Sequence, residues 1–333
     1  MSVISNWLEA FQTQNLREEV EMDVVSKWLI ITRASVFPMT FFAAAIGGLL
    51  AIGTPGVTVD APLWALCTLG LLIAHAVNNL VNDYFDTASG VDTPDYHRAK
   101  YSLHPLLSGL ISKRGLVTAI VVLNLVDVAI GGVLFWARGW VAAAYAIAGF
   151  AISIFYVAPP LRLKHHGLGE PSVFIVWGPL MIAGTYFVTT GENPAWVWGA
   201  SLPYGLLVMT VLFGKHIDKF HADTEKGIRT LPVILGHETA RRVTQAMIWG
   251  FYVVMVGLVA MGVLGVWTLA VLLSIPTARK VTATFAAPPP SEAPKNFPVW
   301  PLWYVAWAFG LTRRAGALFA GGLIVNAFFP FYL

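Results

Sequence analysis

The sequence predicts an all-α integral membrane protein with nine transmembrane helices. Three observations lead to this fold class. Of the 333 residues, 57% are hydrophobic and only 12% are charged, whereas a soluble domain carries about 25% charged residues. Apolar stretches near the ~20 residues that a membrane helix needs recur along the chain. The Lys and Arg residues concentrate in every second connection between those stretches, which is the pattern typical of multi-pass membrane proteins.

The composition also excludes several classes of protein. A mean hydropathy of +0.68 over 333 residues means more apolar surface than one aqueous core can bury, which excludes a soluble globular protein as well as a disordered or fibrous one. The net charge is only +3 and the basic residues are dispersed, so the chain lacks the basic patch of a nucleic-acid-binding protein. Cys67 is the single cysteine, which excludes an internal disulfide and a cysteine-based metal cluster.

Hydropathy divides the chain into nine predicted spans. In chain order they are Ala34–Gly53, Ala61–Asp86, Gly115–Ala137, Trp140–Ala158, Ser172–Gly191, Ala195–Gly214, Val243–Val263, Gly265–Thr277 and Ala315–Tyr332. The seventh and eighth spans are separated only at Gly262 and Gly265. The eighth is also short, so it is expected to extend, to tilt or to end as a half-helix.

The distribution of basic residues tests this division independently of hydropathy. With the N-terminus in the cytoplasm and the sides alternating, all but Arg138 of the 21 Lys and Arg residues fall on the inner side. This asymmetry obeys the positive-inside rule and predicts an N-in, C-out orientation. The outer connections hold few charges, Asp60, Arg138 and Glu192, so function is expected on the cytoplasmic side. Nothing in the sequence resembles a transit peptide, which favours a bacterial plasma membrane.

The chain is predicted to have two parts. Residues 1–32 mix Trp7, Leu8 and Phe11 with acidic residues, which is typical of an amphipathic segment lying on the membrane surface. Residues 33–333 then form the transmembrane domain. The lipid bilayer is therefore one expected partner, and no obligate protein partner is evident.

The first polar segment ends the second predicted helix. Its polar positions are His75, Asn79, Asn82, Asp83, Asp86 and Asp92. His75, Asn79, either Asn82 or Asp83, and Asp86 recur at three- and four-residue steps, which places them on one helical face. Polar groups within a membrane usually line a polar cavity or contact one another, and amide and carboxylate oxygens suit Mg²⁺. The alternative is an ordinary polar helix end that enters a solvated loop.

The second polar segment follows the sixth predicted helix. It mixes charges of both signs at Lys215, Asp218, Lys219, Asp223 and Arg229. Lys219 and Asp223 lie one helical turn apart, whereas Asp218 and Asp223 are five residues apart and point along different faces. The segment is interpreted either as an anion site built from a metal and lysines or as an interfacial helix with ion pairs.

The third segment is the loop that follows the fourth predicted helix. It carries Arg162 and Lys164 shortly before Gly167-Leu-Gly169-Glu170. Beside carboxylate clusters, an arginine and a lysine can bind phosphate oxygens. The alternative is that these charges only determine the topology.

These segments, in this order among nine spans, resemble the UbiA superfamily of intramembrane prenyltransferases. The closest resemblance is to its menaquinone branch, the 1,4-dihydroxy-2-naphthoate prenyltransferases. The similarity rests on the run Asn79–Asp86 continuing to Asp92, with His75 ahead of it, on Gly167–Glu170 at the start of the fifth helix, and on Gly227–Gly236.

The resemblance implies that two facing acidic motifs hold a polyprenyl diphosphate through Mg²⁺ and that the prenyl group passes to an aromatic acceptor through an allylic carbocation. Carried over to this sequence, the expected metal ligands are Asn82, Asp86 and Asp92 for one ion and Asp218 and Asp223 for the other. Asp83, Asp86 and Asp223 are the expected catalytic residues. The expected diphosphate-binding residues are Asn79, Lys164, Lys215, Lys219 and Arg229.

The second motif departs from the family pattern, which has an Asn and two Asp residues at four-residue steps. Here Lys215 and Lys219 occupy the first two positions and only Asp223 matches. We consider two hypotheses: the lysines replace part of the charge of the second metal, or Asp218 reaches the site from an altered helix.

Other functions remain compatible with the same motifs. A UbiA-type terpene cyclase, or a prenyltransferase with a different acceptor, would use similar diphosphate chemistry. A transporter with an acidic cation site is less compatible because the acidic residues lie at one membrane face and no internal repeat is evident. A non-catalytic membrane scaffold is the last alternative.

Overall fold

A computed structural model describes residues 3–17, 20–95, 101–295 and 297–333. Apart from one isolated bridge between His166 and Arg229, the regular elements of these residues are helical. Arg98 and Lys100, which the charge distribution assigns to an inner connection, lie outside the described residues.

The residues that the structure describes form fourteen α-helices, defined as follows. They are α1 Val3–Thr13, α2 Val24–Ile31, α3 Phe37–Ile52, α4 Ala61–Ala88, α5 Lys113–Arg138, α6 Trp140–Phe155, α7 Gly169–Ile175, α8 Gly184–Thr190, α9 Ala195–Asp218, α10 Phe220–Glu225, α11 Leu231–Leu235, α12 His237–Ala260, α13 Ile275–Ala286 and α14 Trp303–Phe328. A π-helical stretch, Val176–Ala183, joins α7 to α8.

Several helices begin where the sequence supplies a cap. The carboxylate of Asp60 accepts a hydrogen bond from the backbone N–H of Leu63, 3.0 Å away, at the start of α4. Ser112 does the same for Gly115 at the start of α5, also at 3.0 Å. These contacts satisfy N–H groups that the first helical turn leaves without intrahelical partners.

In the described part of the chain, seven helical segments are long and apolar enough to cross a membrane. They are α3 with the turn before it, α4, α5, the continuous run from α7 to α8, α9, α12 and α14. The fourth predicted span is a shorter apolar helix, α6, of 16 residues. The eighth, Gly265–Thr277, is not one α-helix, because a 3₁₀ stretch, Val266–Ser274, precedes α13. The predicted count of nine is therefore not confirmed.

The predicted start of the last span is wrong. Hydropathy places it at Ala315, whereas α14 already begins at Trp303 and includes Arg313 and Arg314. The guanidinium of Arg314 donates a hydrogen bond to Thr277 Oγ1 over 3.1 Å. Hydropathy assigns these residues to a loop because two adjacent arginines lower the mean hydropathy of any window that contains them.

Helix α9 lies at the centre of the bundle, where it packs against α12, α14 and the π-helical stretch. One close approach is at Gly205, where a Cβ atom would lie only 2.8 Å from the carbonyl oxygen of Phe174. By contrast, α5 and α6 form an outer pair: Leu125 is 64% exposed, Trp136 87% and Trp140 76%. Large exposed apolar side chains of this kind are compatible with a lipid environment.

The N-terminal helix α1 lies against the rest of the chain through a polar elbow at Gln14 and Asn15. Asn15 Nδ2 donates to the carbonyl oxygen of Tyr101 over 2.7 Å, and Asn15 Oδ1 accepts from the N–H of Leu103 over 3.0 Å. Gln14 Nε2 donates to Ser35 Oγ over 2.5 Å. The elbow thus holds two loops at once, the one before α3 and the one between α4 and α5.

Candidate functional site

Asp83 lies at the C-terminal end of α4 and is completely buried. Arg33, in the left-handed turn before α3, forms an ion pair with its carboxylate. The opposite charges of the two groups compensate each other, which lowers the cost of burying them together.

Asp92 and His104 extend this cluster. His104 Nε2 lies 3.0 Å from Asp92 Oδ2 and 3.7 Å from Asp83 Oδ1. Burial alone would raise the pKa of Asp92, but the hydrogen bond to His104, with Lys219 nearby, lowers it to about 2. One ligand atom from each of Asp83, Asp92 and His104 lies within 4.8 Å of the others, which is close enough for one ion to contact all three.

Asp86 connects the first segment to the third. Lys164 Nζ donates to both carboxylate oxygens of Asp86, at 2.8 and 2.7 Å, and Lys164 is only 4% exposed. The backbone N–H of Lys164 donates to the carbonyl oxygen of Tyr156 over 3.0 Å. That contact fixes the loop in a position from which the ammonium reaches the end of α4.

The second segment faces the same region. Lys219 and Asp223 are both buried, with Nζ and Oδ1 3.6 Å apart. Burial alone would lower the pKa of Lys219, but the carboxylates of Asp223 and Asp86 raise it above the ordinary value of a lysine. Since Asp86 belongs to the first segment, the ammonium of Lys219 interacts electrostatically with a carboxylate from each segment.

Two loop contacts hold the first and second segments together. Lys226 Nζ donates to the carbonyl oxygen of Gly90 over 3.0 Å. The side chains of Val91 and Ile228 pack into one small buried apolar cluster. The two polar segments, more than a hundred residues apart in the sequence, therefore lie side by side.

Three further predicted residues, Asn79, Asn82 and Lys215, belong to the same two segments. Asn79 is buried and its Nδ2 donates to the carbonyl oxygen of Thr32 over 2.9 Å. Asn82 is 8% exposed, and its Oδ1 has no hydrogen-bond partner among the residues that the structure describes. Lys215 is half-buried, one helical turn before Lys219.

Asp218 and Arg229 lie elsewhere. The two carboxylate oxygens of Asp218 accept hydrogen bonds from the N–H groups of Tyr304 and Val305, at 2.9 and 3.0 Å. Asp218 therefore caps α14, and we remove it from the predicted metal ligands. It also lines a separate cavity of about 520 Å³. Arg229 is exposed and takes part through its backbone in the bridge to His166, so its side chain is not among the buried charges.

Arg33 and His104 are members of the site that the sequence did not predict. Arg33 directly precedes the first predicted span as one of the dispersed basic residues, and His104 follows the first segment at no helical spacing. The structure brings both to Asp83 through long-range contacts. No pattern in a single sequence would have indicated either contact.

A buried carboxylate–imidazole pair lies next to the second segment. Glu170 Oε1 lies 2.6 Å from His216 Nδ1, and Glu170 Oε2 accepts from the N–H of Leu231 over 3.3 Å. Glu170 lies at the start of α7, His216 in α9 and Leu231 at the start of α11. This one side chain therefore connects α7, α9 and α11 close in sequence to Lys215 and Lys219.

Aromatic rings lie beside His75, two turns before Asp83 on α4. The ring centroid of His75 is 5.5 Å from that of Phe37 and 5.1 Å from that of Trp177. His75 Nδ1 is also 2.8 Å from Thr40 Oγ1. The ring faces of Phe37 and Trp177 can contact a cation or a flat ligand.

The fold and this site together define a class of protein: a multi-pass helical membrane protein in which buried carboxylates and buried cations meet at one end of the bundle. The buried acids are Asp83, Asp86, Asp92 and Asp223, and the buried bases are Arg33, Lys164 and Lys219. Carboxylates, amides and ammonium groups together are able to bind a divalent ion and a polyanion.

The comparisons with known proteins agree with this class. The model of the UbiA prenyltransferase family matches residues 39–297, so this chain belongs to the UbiA prenyltransferase family. It is a prenyl-transferring enzyme embedded in a membrane.

Two relatives are 1,4-dihydroxy-2-naphthoate octaprenyltransferases. The one from Bacillus subtilis is 25% identical over 266 residues, which are 80% of this chain and 83% of the relative. The one from Escherichia coli is 29% identical over 239 residues, 70% of this chain and 76% of the relative. The fold also matches the solved structure of a UbiA homologue from Archaeoglobus fulgidus bound to GPP and Mg²⁺, with a TM-score of 0.61, 17% identity, and coverage of 90% of this chain and 98% of that one.

Proposed function

We propose that this enzyme transfers a prenyl group from a polyprenyl diphosphate to an aromatic acceptor such as 1,4-dihydroxy-2-naphthoate, in the biosynthesis of a quinone. One observation carries the proposal: the ion pairs Lys164–Asp86 and Lys219–Asp223 come from separate segments and meet at the same end of the bundle. Such a site combines the two functions that a diphosphate requires, carboxylates for a metal and cations for phosphate oxygens. The names of the naphthoate-prenylating relatives support the choice of acceptor.

The described residues fit a hard divalent cation such as Mg²⁺. Asp83 and Asp92 supply buried carboxylates within reach of a single ion, and Asn82 Oδ1 is a buried oxygen still without a hydrogen-bond partner in the described part of the chain. His104 would hold Asp92 in place rather than act as a ligand, because oxygen is the ligand that Mg²⁺ prefers. The chemistry that Mg²⁺ supplies when bound is neutralisation of diphosphate charge.

The residues of the chain assist the departure of the diphosphate. When the bond between the allylic carbon and oxygen breaks, the electron pair goes to the diphosphate and leaves an allylic carbocation. The ammonium of Lys164 uses two of its N–H donors on Asp86 and keeps a third for a phosphate oxygen. Lys215 and Lys219 add positive charge from the second segment, and this charge stabilises the leaving group in a water-poor site.

The aromatic rings beside His75 complete the site on the membrane side. Phe37 and Trp177 offer ring faces that stabilise a carbocation electrostatically and accommodate a prenyl chain. A ring carbon of the acceptor then attacks the allylic carbon and gives up its proton.

We also propose that this site faces the cytoplasm of a bacterial cell, with the N-terminus on the same side. The distribution of Lys and Arg between the connections supports this orientation. The exposed apolar residues of α1, among them Ile4 and Leu8 at 62% and 55%, support contact of that helix with the surface of the same membrane leaflet.

Release of diphosphate by the purified enzyme in detergent tests the proposal. Geranylgeranyl diphosphate is supplied with and without 1,4-dihydroxy-2-naphthoate and with and without Mg²⁺, and the prenylated product is identified by mass spectrometry. We expect release that requires both the acceptor and Mg²⁺. Release without an acceptor would instead identify a cyclase or hydrolase, and no release would contradict the substrate assignment.

A matched pair of variants assigns the activity to the site. Asp86→Asn removes a buried carboxylate that contacts Lys164, whereas Asp95→Asn removes an exposed carboxylate a few residues further along. We expect Asp86→Asn to abolish turnover and Asp95→Asn to retain it. Equal loss in both variants would contradict the assignment.

A further inference from the structure

The imidazole of His75 belongs to a chain of three hydrogen-bonded side chains. His75 Nδ1 lies 2.8 Å from Thr40 Oγ1, and Trp177 Nε1 donates to the same hydroxyl oxygen over 3.1 Å. Thr40 is completely buried, and His75 and Trp177 are only 5% and 8% exposed. Bulk water therefore competes little for these two contacts.

The chemistry of these groups determines which nitrogen of the ring carries the hydrogen. The indole N–H of Trp177 is only a donor, so the hydroxyl of Thr40 accepts there and has its own single hydrogen left to donate. Thr68 donates its hydroxyl hydrogen to the carbonyl oxygen four residues earlier, but Thr40 makes no such bond in the described part of the chain. Its hydrogen therefore goes to Nδ1 of His75. Since Nδ1 accepts, the ring hydrogen is on Nε2.

The Nε2–H group of His75 borders open space. Nε2 makes no hydrogen bond to the residues that the structure describes, and it is not among their enclosed polar atoms that lack a partner. The rings of Phe37 and Trp177, with centroids 5.5 and 5.1 Å from that of His75, restrict rotation of the imidazole. His75 thus offers a fixed hydrogen-bond donor to a ligand.

The position of His75 on α4 relates this donor to the rest of the site. Asn82 and Asp86 follow His75 by seven and eleven residues, which places the three side chains on one face of the helix. Along the helix axis, Asn82 is about 10 Å from His75 and Asp86 about 16 Å. The donor therefore lies well away from the end of α4 where the buried carboxylates and cations meet.

Of the proposed substrates, the aromatic acceptor is the one that fits this donor. The diphosphate is expected at the far end of the same face, where Lys164 contacts Asp86. The prenyl chain is a hydrocarbon and has no oxygen to accept a hydrogen bond. The acceptor carries hydroxyl and carboxylate oxygens, and it must lie beyond the allylic carbon as seen from the diphosphate.

We propose that His75 binds the aromatic acceptor by donating a hydrogen bond from Nε2–H to one of its oxygens. This inference rests on the proposed function, which supplies the aromatic acceptor. An analogue without that oxygen leaves a buried donor unpaired, so His75 also contributes to the choice of acceptor. Thr40 acts through His75 as a positioning residue, because its hydroxyl determines which ring nitrogen carries the hydrogen.

Equilibrium binding of 1,4-dihydroxy-2-naphthoate tests the inference without prenyl transfer. The purified full-length protein in detergent is titrated anaerobically, without prenyl diphosphate, and the fluorescence of the naphthoate is followed. His75→Asn keeps a polar group near Thr40 but has no donor at the position of Nε2, so we expect about tenfold weaker affinity. His75→Gln places an amide N–H near that position and is expected to retain most of the affinity.

His166→Asn makes the matched change at an exposed position and is expected to bind the naphthoate as the wild type does. Equal affinities of His75→Asn and the wild type would overturn the inference, as would a wild type that does not bind the naphthoate.

The position of the ring hydrogen is tested on the wild type itself, so that misfolding of a variant does not decide the outcome. With ¹⁵N-labelled histidine, solid-state NMR of the full-length protein in bilayers distinguishes an Nε2–H ring from an Nδ1–H ring, and the signal of His75 is the one absent from His75→Gln. We expect the Nε2–H form in the wild type and its loss in Thr40→Val. An Nδ1–H ring in the wild type would overturn the inference.

The diphosphate-release assay separates this inference from the proposed function. In His75→Asn we expect a raised KM for the naphthoate and an unchanged KM for geranylgeranyl diphosphate. A wild type that requires the naphthoate for release, together with an unchanged naphthoate KM in His75→Asn, would overturn the role of His75 alone. Absence of release by the wild type would instead contradict the proposed function.

Discussion

Lys164 binds Asp86 with two hydrogen bonds from one ammonium, across 78 residues of sequence. Both side chains are more than nine-tenths buried. The pair connects the loop after α6 to the end of α4 and thereby contributes to the position of the first segment. A buried ion pair adds little net stability as a whole, but removal of one partner leaves an uncompensated charge.

The first prediction concerns that uncompensated charge. Lys164→Met is expected to lower the free energy of unfolding by ~3–5 kcal/mol and to abolish prenyl transfer, as measured by unfolding in detergent and by the turnover assay. The double variant Lys164→Met/Asp86→Asn is expected to regain most of the lost stability but none of the activity. Additive losses would show that the two groups do not interact.

The second prediction concerns pH and the N-terminal helices. Asp23 caps α2 and also accepts a hydrogen bond from Trp7 Nε1 over 2.9 Å. Hydrogen bonds from Ser26 lower its pKa from 3.8 to about 2. Because the folded pKa lies below the unfolded one, the stabilisation by the carboxylate is complete above about pH 4 and is lost as the pH falls towards 2.

Comparison with Asp23→Asn isolates this contribution. Asparagine keeps the capping oxygen but not the charge, so we expect the wild type to unfold at a higher temperature near pH 6 and the difference to vanish as the pH falls through that window. The other aspartates titrate in both proteins, so their effects on the unfolding temperature cancel in the difference. A difference that is constant with pH would contradict the assignment.

The third prediction tests the packing of α9. A Cβ atom on Gly205 would lie 2.8 Å from the carbonyl oxygen of Phe174 and 3.0 Å from the Cα of Gly178. Gly205→Ala must therefore displace backbone, at a cost of ~1–3 kcal/mol. Gly257 on α12 has no atom within 4 Å of the corresponding position, so Gly257→Ala serves as the control and is expected to leave the unfolding temperature nearly unchanged.

The fourth prediction tests the polar elbow. Asn15→Ala removes the contacts to Tyr101 and Leu103, which immediately precede His104. We expect faster hydrogen exchange in residues 101–104 and a lower kcat, because His104 positions Asp92. Gln12→Ala, at an exposed position of α1, is the matched control. Normal exchange at residues 101–104 in Asn15→Ala would show that the elbow does not hold this loop.

Local patterns predicted which side chains of one helix would lie together, while the roles of these residues stay a prediction. The helical spacing of Asn79, Asn82, Asp83 and Asp86 is a property of one helix, and the structure has all four buried at the end of α4. Lys164 was predicted from its charge and from the carboxylate clusters elsewhere in the sequence, and it contacts Asp86 directly. Hydropathy, which sums over many residues, likewise predicted the membrane helices better than their ends.

The remaining features depend on contacts that a single sequence does not contain. Asp218 and Asp223 lie on different faces, but only the structure shows that the first caps α14. His104 reaches Asp92 because the elbow holds its loop. Arg314 lies within α14, where Thr277 on a distant segment accepts its hydrogen bond. In each case a partner from a distant segment determines the outcome.

The ion pairs also determine when a newly synthesised chain can complete its site. Arg33 leaves the ribosome before Asp83, so this pair can form as soon as α4 is made. Asp86 precedes Lys164 by 78 residues, and α5 and α6 must be inserted before that ammonium arrives. A nascent chain that stalls between Asp86 and Lys164 carries a carboxylate at the membrane without its folded-state partner. Such an unpaired charge is costly in lipid. It would give cellular quality control a means of distinguishing unfinished chains from finished ones.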